Sequence, residues 1–129
     1  ANMHAALGLS VFAITAIEAV YSSKGEEWLD ELLPYISSNM DLVIHRLTTS
    51  IPGIKIHKPQ ATYLLWIDYR DTGLKEEEVM DRLLTIGKLA LESGTKYGEQ
   101  GRGFLRMNVA CARSIVADGI NRFIKAFKN

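Results

Sequence analysis

Apolar positions crowd the first twenty residues so densely that no polar face is left. Leu7, Leu9, Val11, Phe12, Ile14, Ile17 and Val20 fall on every side of a helix, with His4 and Glu18 as its strongly polar breaks, and a helix apolar all round seeks burial on all sides. Gly25 is expected to end it. Trp28, Leu29, Leu32, Leu33, Ile36, Met40, Val43 and Leu47 then recur at steps of three and four. That spacing predicts one long amphipathic helix, kinked at Pro34 and broken by Ile51-Pro52-Gly53. Ile54 to Lys58 alternates apolar with polar and stops at Pro59, the pattern of a half-exposed edge strand. Tyr63 to Ile67 runs without alternation, so it reads as a strand covered on both faces, paired with the first as a hairpin across Pro59 to Ala61.

Beyond the turn at Asp71-Thr72-Gly73, Glu76-Glu77-Glu78 places negative charge where a helix N-terminus favours it, and Val79, Met80, Leu83 and Leu84 continue a short helix. Leu89 to Leu91 is a brief strand candidate. Gly94, Gly98, Gly101 and Gly103 mark a loop before a strand over Phe104 to Ala110. Ser114 caps a last helix carrying Ile115, Val116, Ile120, Phe123, Ile124 and Phe127. Helix, helix, strand, strand, helix, strand, strand, helix is the order of an α+β domain, a mainly antiparallel small sheet covered by helices rather than a doubly wound one.

Composition narrows the partners. The 129 residues hold 15 basic and 15 acidic side chains, so no single-sign field draws the chain to nucleic acid or to an anionic membrane surface. Met3 to Ile17 spans about 15 residues, short of the ~20 that a bilayer requires, and no Lys or Arg precedes it to make a signal peptide. Cys111 stands alone and the three histidines are scattered, which excludes an internal disulfide and a closely spaced zinc site and fits a reducing, cytoplasmic compartment. The apolar first helix has two readings at this point: an oligomer interface, or a surface that faces the rest of a longer chain.

Candidate chemistry is sparse. Gly98-Glu99-Gln100-Gly101-Arg102-Gly103 has the wrong glycine order for a dinucleotide loop, and a strand follows it where phosphate binding needs a helix N-terminus. Ser93-Gly94-Thr95-Lys96 matches S-x-x-K, but no supporting triplet accompanies it and Lys96 leads into an open glycine loop. Cys111 has no adjacent histidine to activate it and reads as a small packing residue. Tyr63 and Trp66 read as core, with a pocket wall as the alternative for one of them. Arg106 is more informative. Strand alternation puts Leu105, Met107 and Val109 on one face and Phe104, Arg106 and Asn108 on the other. An arginine there is either paired with a carboxylate of its own protein or waits for one from a ligand, because a guanidinium fork is costly to bury alone.

The stretch Gly87-Lys88-Leu89-Ala90-Leu91, Gly94, Tyr97-Gly98 and Gly101-Arg102-Gly103-Phe104-Leu105-Arg106-Met107-Asn108-Val109-Ala110-Cys111 resembles the C-terminal signature of fold-type I pyridoxal phosphate enzymes, in the cystathionine β-lyase branch of the class I/II aminotransferases. The likeness continues backward through Ala61 to Asp68 and Gly25 to Leu29 into the apolar helix, and so spans nearly the whole chain. It departs from the usual pattern at Ala61, Ser93 and Ala112, in the loops. The resemblance implies that Arg106 grips the α-carboxylate of an amino-acid substrate, with Asn108 on the same face and Tyr97 and Gly98 in a loop that closes over it. It further implies that residues 25–129 are the small C-terminal domain of a longer homodimeric enzyme, and that residues 1–24 pack on a large N-terminal domain.

That large domain carries the cofactor lysine and the phosphate cup. Pyridoxal 5'-phosphate is therefore expected in the parent enzyme and not on this chain alone, which is expected to be inactive. The parent reaction is carbon–sulfur β-elimination, with amino-acid transamination as the alternative. A different class, a stand-alone module that binds amino acids or a protein through Arg106 without catalysis, stays open.

Overall fold

The computed structural model describes residues 10–128. In chain order they form helices α1 (Val11–Val20) and α2 (Ser23–Ser50), strands β1 (Lys55–Ile56) and β2 (Leu64–Asp68), helix α3 (Glu76–Arg82), strands β3 (Glu92–Ser93) and β4 (Phe104–Asn108), and helix α4 (Arg113–Lys128). This is the predicted order, and the α+β class holds. The chain divides into two compact units, Ala1–Tyr35 and Ile36–Asn129. The division falls within α2, beyond the boundary expected at residue 24.

In the first unit the Ser10 side chain caps α1 by accepting the Ala13 amide at 3.2 Å, as its short hydroxyl suits. Residues 1–9, including His4, Leu7 and Leu9 of the predicted helix, lie outside the described residues. The break between the helices comes at Tyr21-Ser22, not at Gly25, which sits in the first turn of α2. A Cβ on Gly25 would lie 1.9 Å from the Val20 carbonyl oxygen. Glycine is needed there because the end of α1 meets the start of α2, and close backbone approach admits no side chain. No residue of α1 is buried, and Phe12 is 87% exposed.

In the second unit a four-stranded sheet runs in the order β1-β2-β4-β3, every neighbour antiparallel. β1 is the edge strand its polar alternation predicts. Leu65 and Ile67 of β2 lie beside Met107 and Leu105 of β4 on one face, all buried. Ile36, Met40, Val43 and Leu47 of α2, Val79 of α3, and Val116, Ile120 and Phe123 of α4 are buried as well. With Leu65 and Leu105 these positions make up the buried core. Each such side chain contributes about 1.5–3 kcal/mol when fully buried.

β2 is thus covered on one face rather than two. Trp66 is 36% and Tyr63 46% exposed, so neither belongs to the core that the sequence reading gave them. A run of five apolar residues suggests two-sided burial, but here the outward Leu64 and Trp66 stay partly in water.

Two boundaries also move. The third strand forms at Glu92–Ser93 instead of Leu89–Leu91 because α3 widens into a π turn over Leu83–Gly87, closed by left-handed Lys88 (φ 52°). The Leu89 amide donates back to the Leu83 carbonyl at 2.9 Å, so Leu89 is still engaged in leaving the helix. α4 begins at Arg113, with the Ile115 and Val116 amides donating to the Ala112 carbonyl. Ser114 therefore lies in the first turn, not at the cap.

One buried polar residue ties these layers together. Asn39 of α2, fully buried, donates through Nδ2 to the carbonyls of Val109 and Cys111, both at 3.1 Å. It holds the helix to the chain leaving β4, where two carbonyls would otherwise lose a partner.

Candidate functional site

The second face of the sheet is built by the same alternation. Phe104, Arg106 and Asn108 point to it from β4, and Arg106 has two cross-strand neighbours, Trp66 on β2 and Glu92 on β3. The loop after β3 then folds back over this face. Ser93 accepts the Thr95 amide at 3.2 Å, and both hydroxyls bond Glu76, Thr95 at 2.8 Å. Gly94 and Gly101 touch backbone to backbone, since a Cβ on Gly94 would sit 2.2 Å from the Gly101 oxygen. Gly98 takes a positive φ of 120°, which a side chain rarely adopts. The glycines are spent on packing and turning the loop, not on cradling phosphate.

The loop delivers Tyr97 onto the arginine. The Arg106 guanidinium carbon lies 4.7 Å from the Tyr97 ring centroid, and Trp66 meets Tyr97 edge-on at 5.6 Å and Phe104 at 6.2 Å. Arg70, paired with Asp68, covers the other side of Phe104 at 4.7 Å. Stacked aromatic rings fix a planar guanidinium while leaving its in-plane donors free to bond.

Those donors are met by Glu92. Arg106 Nη2 donates to Glu92 Oε2, the Tyr97 hydroxyl donates to the same oxygen at 2.5 Å, and Lys96 Nζ pairs with Glu92 Oε1. Hydrogen bonds from Lys96 and Tyr97, with the nearby charges of Arg106 and Lys96, pull the Glu92 carboxyl down to about 2. Lys96 is raised in turn, first by its bond to Glu92, and the Tyr97 hydroxyl is raised chiefly by donating to the same carboxylate. A cavity of about 310 Å³ opens beside the pair, its walls including Glu92, Arg106, Asn108, Cys111 and Ile115. That is the lower end of the size range for small-ligand sites.

Of the residues singled out from sequence, Arg106 and Tyr97 come into contact and Gly98 turns their loop. Asn108 shares the face, but its Oδ1 accepts the Ala110 amide at 2.8 Å, so it is engaged with its own backbone. Glu92 was missed, and Trp66 was placed first in the core. Glu92 lies just past the strand expected at Leu89–Leu91, and only the strand register reveals that it faces Arg106.

Pyridoxal phosphate needs an unprotonated lysine amine, a carboxylate at the ring nitrogen and a phosphate cup. The lysine nearest this face, Lys96, is exposed and held in its charged form by Glu92. The residues of this face fit a carboxylate rather than the cofactor. Among the described residues no cluster of His, Cys, Asp or Glu is placed to hold a metal ion, and no helix is long and apolar enough to cross a membrane.

No family model matches the chain, but individual relatives do. It is 50% identical over 119 residues to cystathionine beta-lyase PatB of Bacillus subtilis and 35% identical to protein MalY of Escherichia coli, in each case over 92% of this chain and 30% of the relative. Cystalysin of Treponema denticola, whose crystal structure contains pyridoxal 5'-phosphate, superposes with a TM-score of 0.86 at 27% identity, over 95% of this chain and 31% of that one. A pyridoxal phosphate-bound chain of Clostridium difficile 630, assigned as an aminotransferase, gives 0.86 at 39% identity over 92% and 30%. The chain thus spans about 30% of the length of the relatives it matches.

Proposed function

From a chain that belongs to the fold-type I pyridoxal phosphate family, over a stretch shared with its cystathionine β-lyases, we propose that this is the small, substrate-carboxylate-binding domain of a longer carbon–sulfur lyase. The observation that carries the reading is Arg106, stacked on Tyr97 on the open face of the sheet beside a cavity of about 310 Å³. When bound in the parent, the cofactor supplies the electron sink for the carbanion at the substrate Cα. What this chain supplies is the grip. A guanidinium fork matches a carboxylate bidentately, and fixing that carboxylate sets which bond at Cα faces the reaction. Tyr97 holds the guanidinium plane and keeps water from one of its faces, and Trp66 meets the Tyr97 ring edge-on. Asn108 and Gly98 border the same ligand.

The remainder of the parent belongs to the same proposal. A large N-terminal domain carries the cofactor, the exposed apolar residues of α1 pack on it, and the enzyme works as a cytoplasmic homodimer on an amino acid. The unburied Phe12 and Trp28 support the packing, and a lone free Cys111 supports the compartment. Amino-acid transamination is the second reading, favoured by the 39% identity to the Clostridium chain.

Arg106→Lys in the parent enzyme tests the grip. A point charge replaces the fork, and the loss of a charged bidentate contact is expected to raise the amino-acid KM about ten- to a hundredfold. The cofactor absorbance should stay. An unchanged KM would show that Arg106 is structural.

A further inference from the structure

The arginine assigned to a ligand carboxylate already holds a carboxylate of its own chain, and that carboxylate has two other partners. Glu92 stands directly across from Arg106 in the β3–β4 register. It receives Arg106 and Tyr97 on one oxygen and Lys96 on the other. Arg106 is bound to it through Nη2 alone, whereas an arginine has five donors in its plane. Counting formal charges, Arg106 and Lys96 contribute two positive and Glu92 one negative, so the cluster retains room for one more carboxylate. If Arg106 turns its fork to a ligand, Glu92 keeps Lys96 and Tyr97 and is not left uncompensated. Removal of Lys96 would leave Glu92 with the Tyr97 hydroxyl but dependent on Arg106 for a neutralising charge, and a ligand carboxylate would then meet either an occupied fork or an unneutralised negative charge.

We propose that Glu92 is an internal competitor for the Arg106 fork and that Lys96 relieves the competition, so that this pair sets how tightly the site holds a substrate carboxylate. The inference rests on the function proposed for Arg106 and goes beyond it by assigning Glu92 and Lys96 as determinants of affinity rather than of chemistry. Neither touches the reacting atoms in this account; both act through the guanidinium.

The consequence is a pair of opposite shifts. In the parent enzyme Glu92→Gln removes the competing charge and is expected to lower the amino-acid KM about three- to tenfold, while Lys96→Met is expected to raise it by a similar factor, partly exposed charges being screened to effects of this order. kcat should change little in either. Lys96→Gln, a second neutral variant that keeps a donor, is expected to raise KM less than Lys96→Met, and Glu92→Gln should abolish the Lys96→Met effect in the double variant. A merely structural role for the pair would move both KM values in the same direction or move kcat instead, and either result, or no shift at all, overturns the proposal. Arg106→Lys, measured alongside, separates the two failures. If it leaves KM unchanged, the carboxylate grip itself is wrong; if it raises KM while Glu92 and Lys96 give no opposite shifts, the grip stands and the competition does not.

Discussion

The two faces of one small sheet obey different chemistry although the same strands supply both. Towards the helices, Leu65, Ile67 and Leu105 are completely buried and make no polar contact through their side chains. One residue along each strand, the opposite face presents Trp66, Arg106 and Glu92, with Tyr97 laid over them from the loop, all partly in water and joined by ion pairs and ring contacts. The contrast separates where this domain keeps its stability from where it keeps its charged and aromatic groups. Alternation at period two is what allows it, since each strand residue must choose a face.

The comparison is most sharply tested from the covered side. Leu105→Ala removes a fully buried side chain from the central strand pair, and a loss of about 2–5 kcal/mol in unfolding free energy is expected by denaturant melts. Glu92→Gln, one pleat away on the partly exposed open face, should cost much less than Leu105→Ala at neutral pH. Equal losses for the two substitutions would break the division between the faces.

A smaller effect follows from pH. Glu92 titrates at about 2 in the folded chain against an ordinary 4.5, so the unfolded chain takes up the proton first. Its contribution to stability is therefore complete above about pH 4.5 and disappears as pH falls toward 2. Lys96, raised by the same bond, contributes up to its unfolded value and loses that contribution only as pH rises through its folded one. Acid melts of the wild type and of Glu92→Gln should diverge above pH 4.5 and converge near pH 2. Because Lys96 is exposed and Glu92 partly so, the divergence should shrink at high salt. Curves that run parallel from pH 2 to pH 6 would mean that the cluster carries no linkage.

The helices and the core were legible in the sequence because they depend on periodicity. Val43 and Leu47, Ile120 and Phe123 follow the helical step, and Leu105, Met107 and Val109 follow the strand step, without reference to distant residues. The break between the first two helices was not legible, since Gly25 signals a stop equally well when it serves close packing. Nor was the burial of β2, because Trp66 is apolar enough to pass for core and no local pattern says whether the second face of a strand is covered. The candidate site divides in the same way. Arg106 announced itself by standing among alternating apolar residues, and residue reasoning left open an internal partner or a ligand. The internal partner, Glu92, depended on a strand of two residues whose register no local pattern encodes. Asn39 was hidden for a related reason: its partners, Val109 and Cys111, lie some seventy residues away.

The central claim is that the open face exists to hold a ligand carboxylate on Arg106. The most direct measurement is a crystal structure of the parent holoenzyme with an unreactive amino-acid analogue bound. The account predicts the analogue's carboxylate bidentate on the Arg106 guanidinium, with Glu92 still held by Lys96 and Tyr97. A carboxylate seated elsewhere, with the Arg106–Glu92 pair intact, would contradict it.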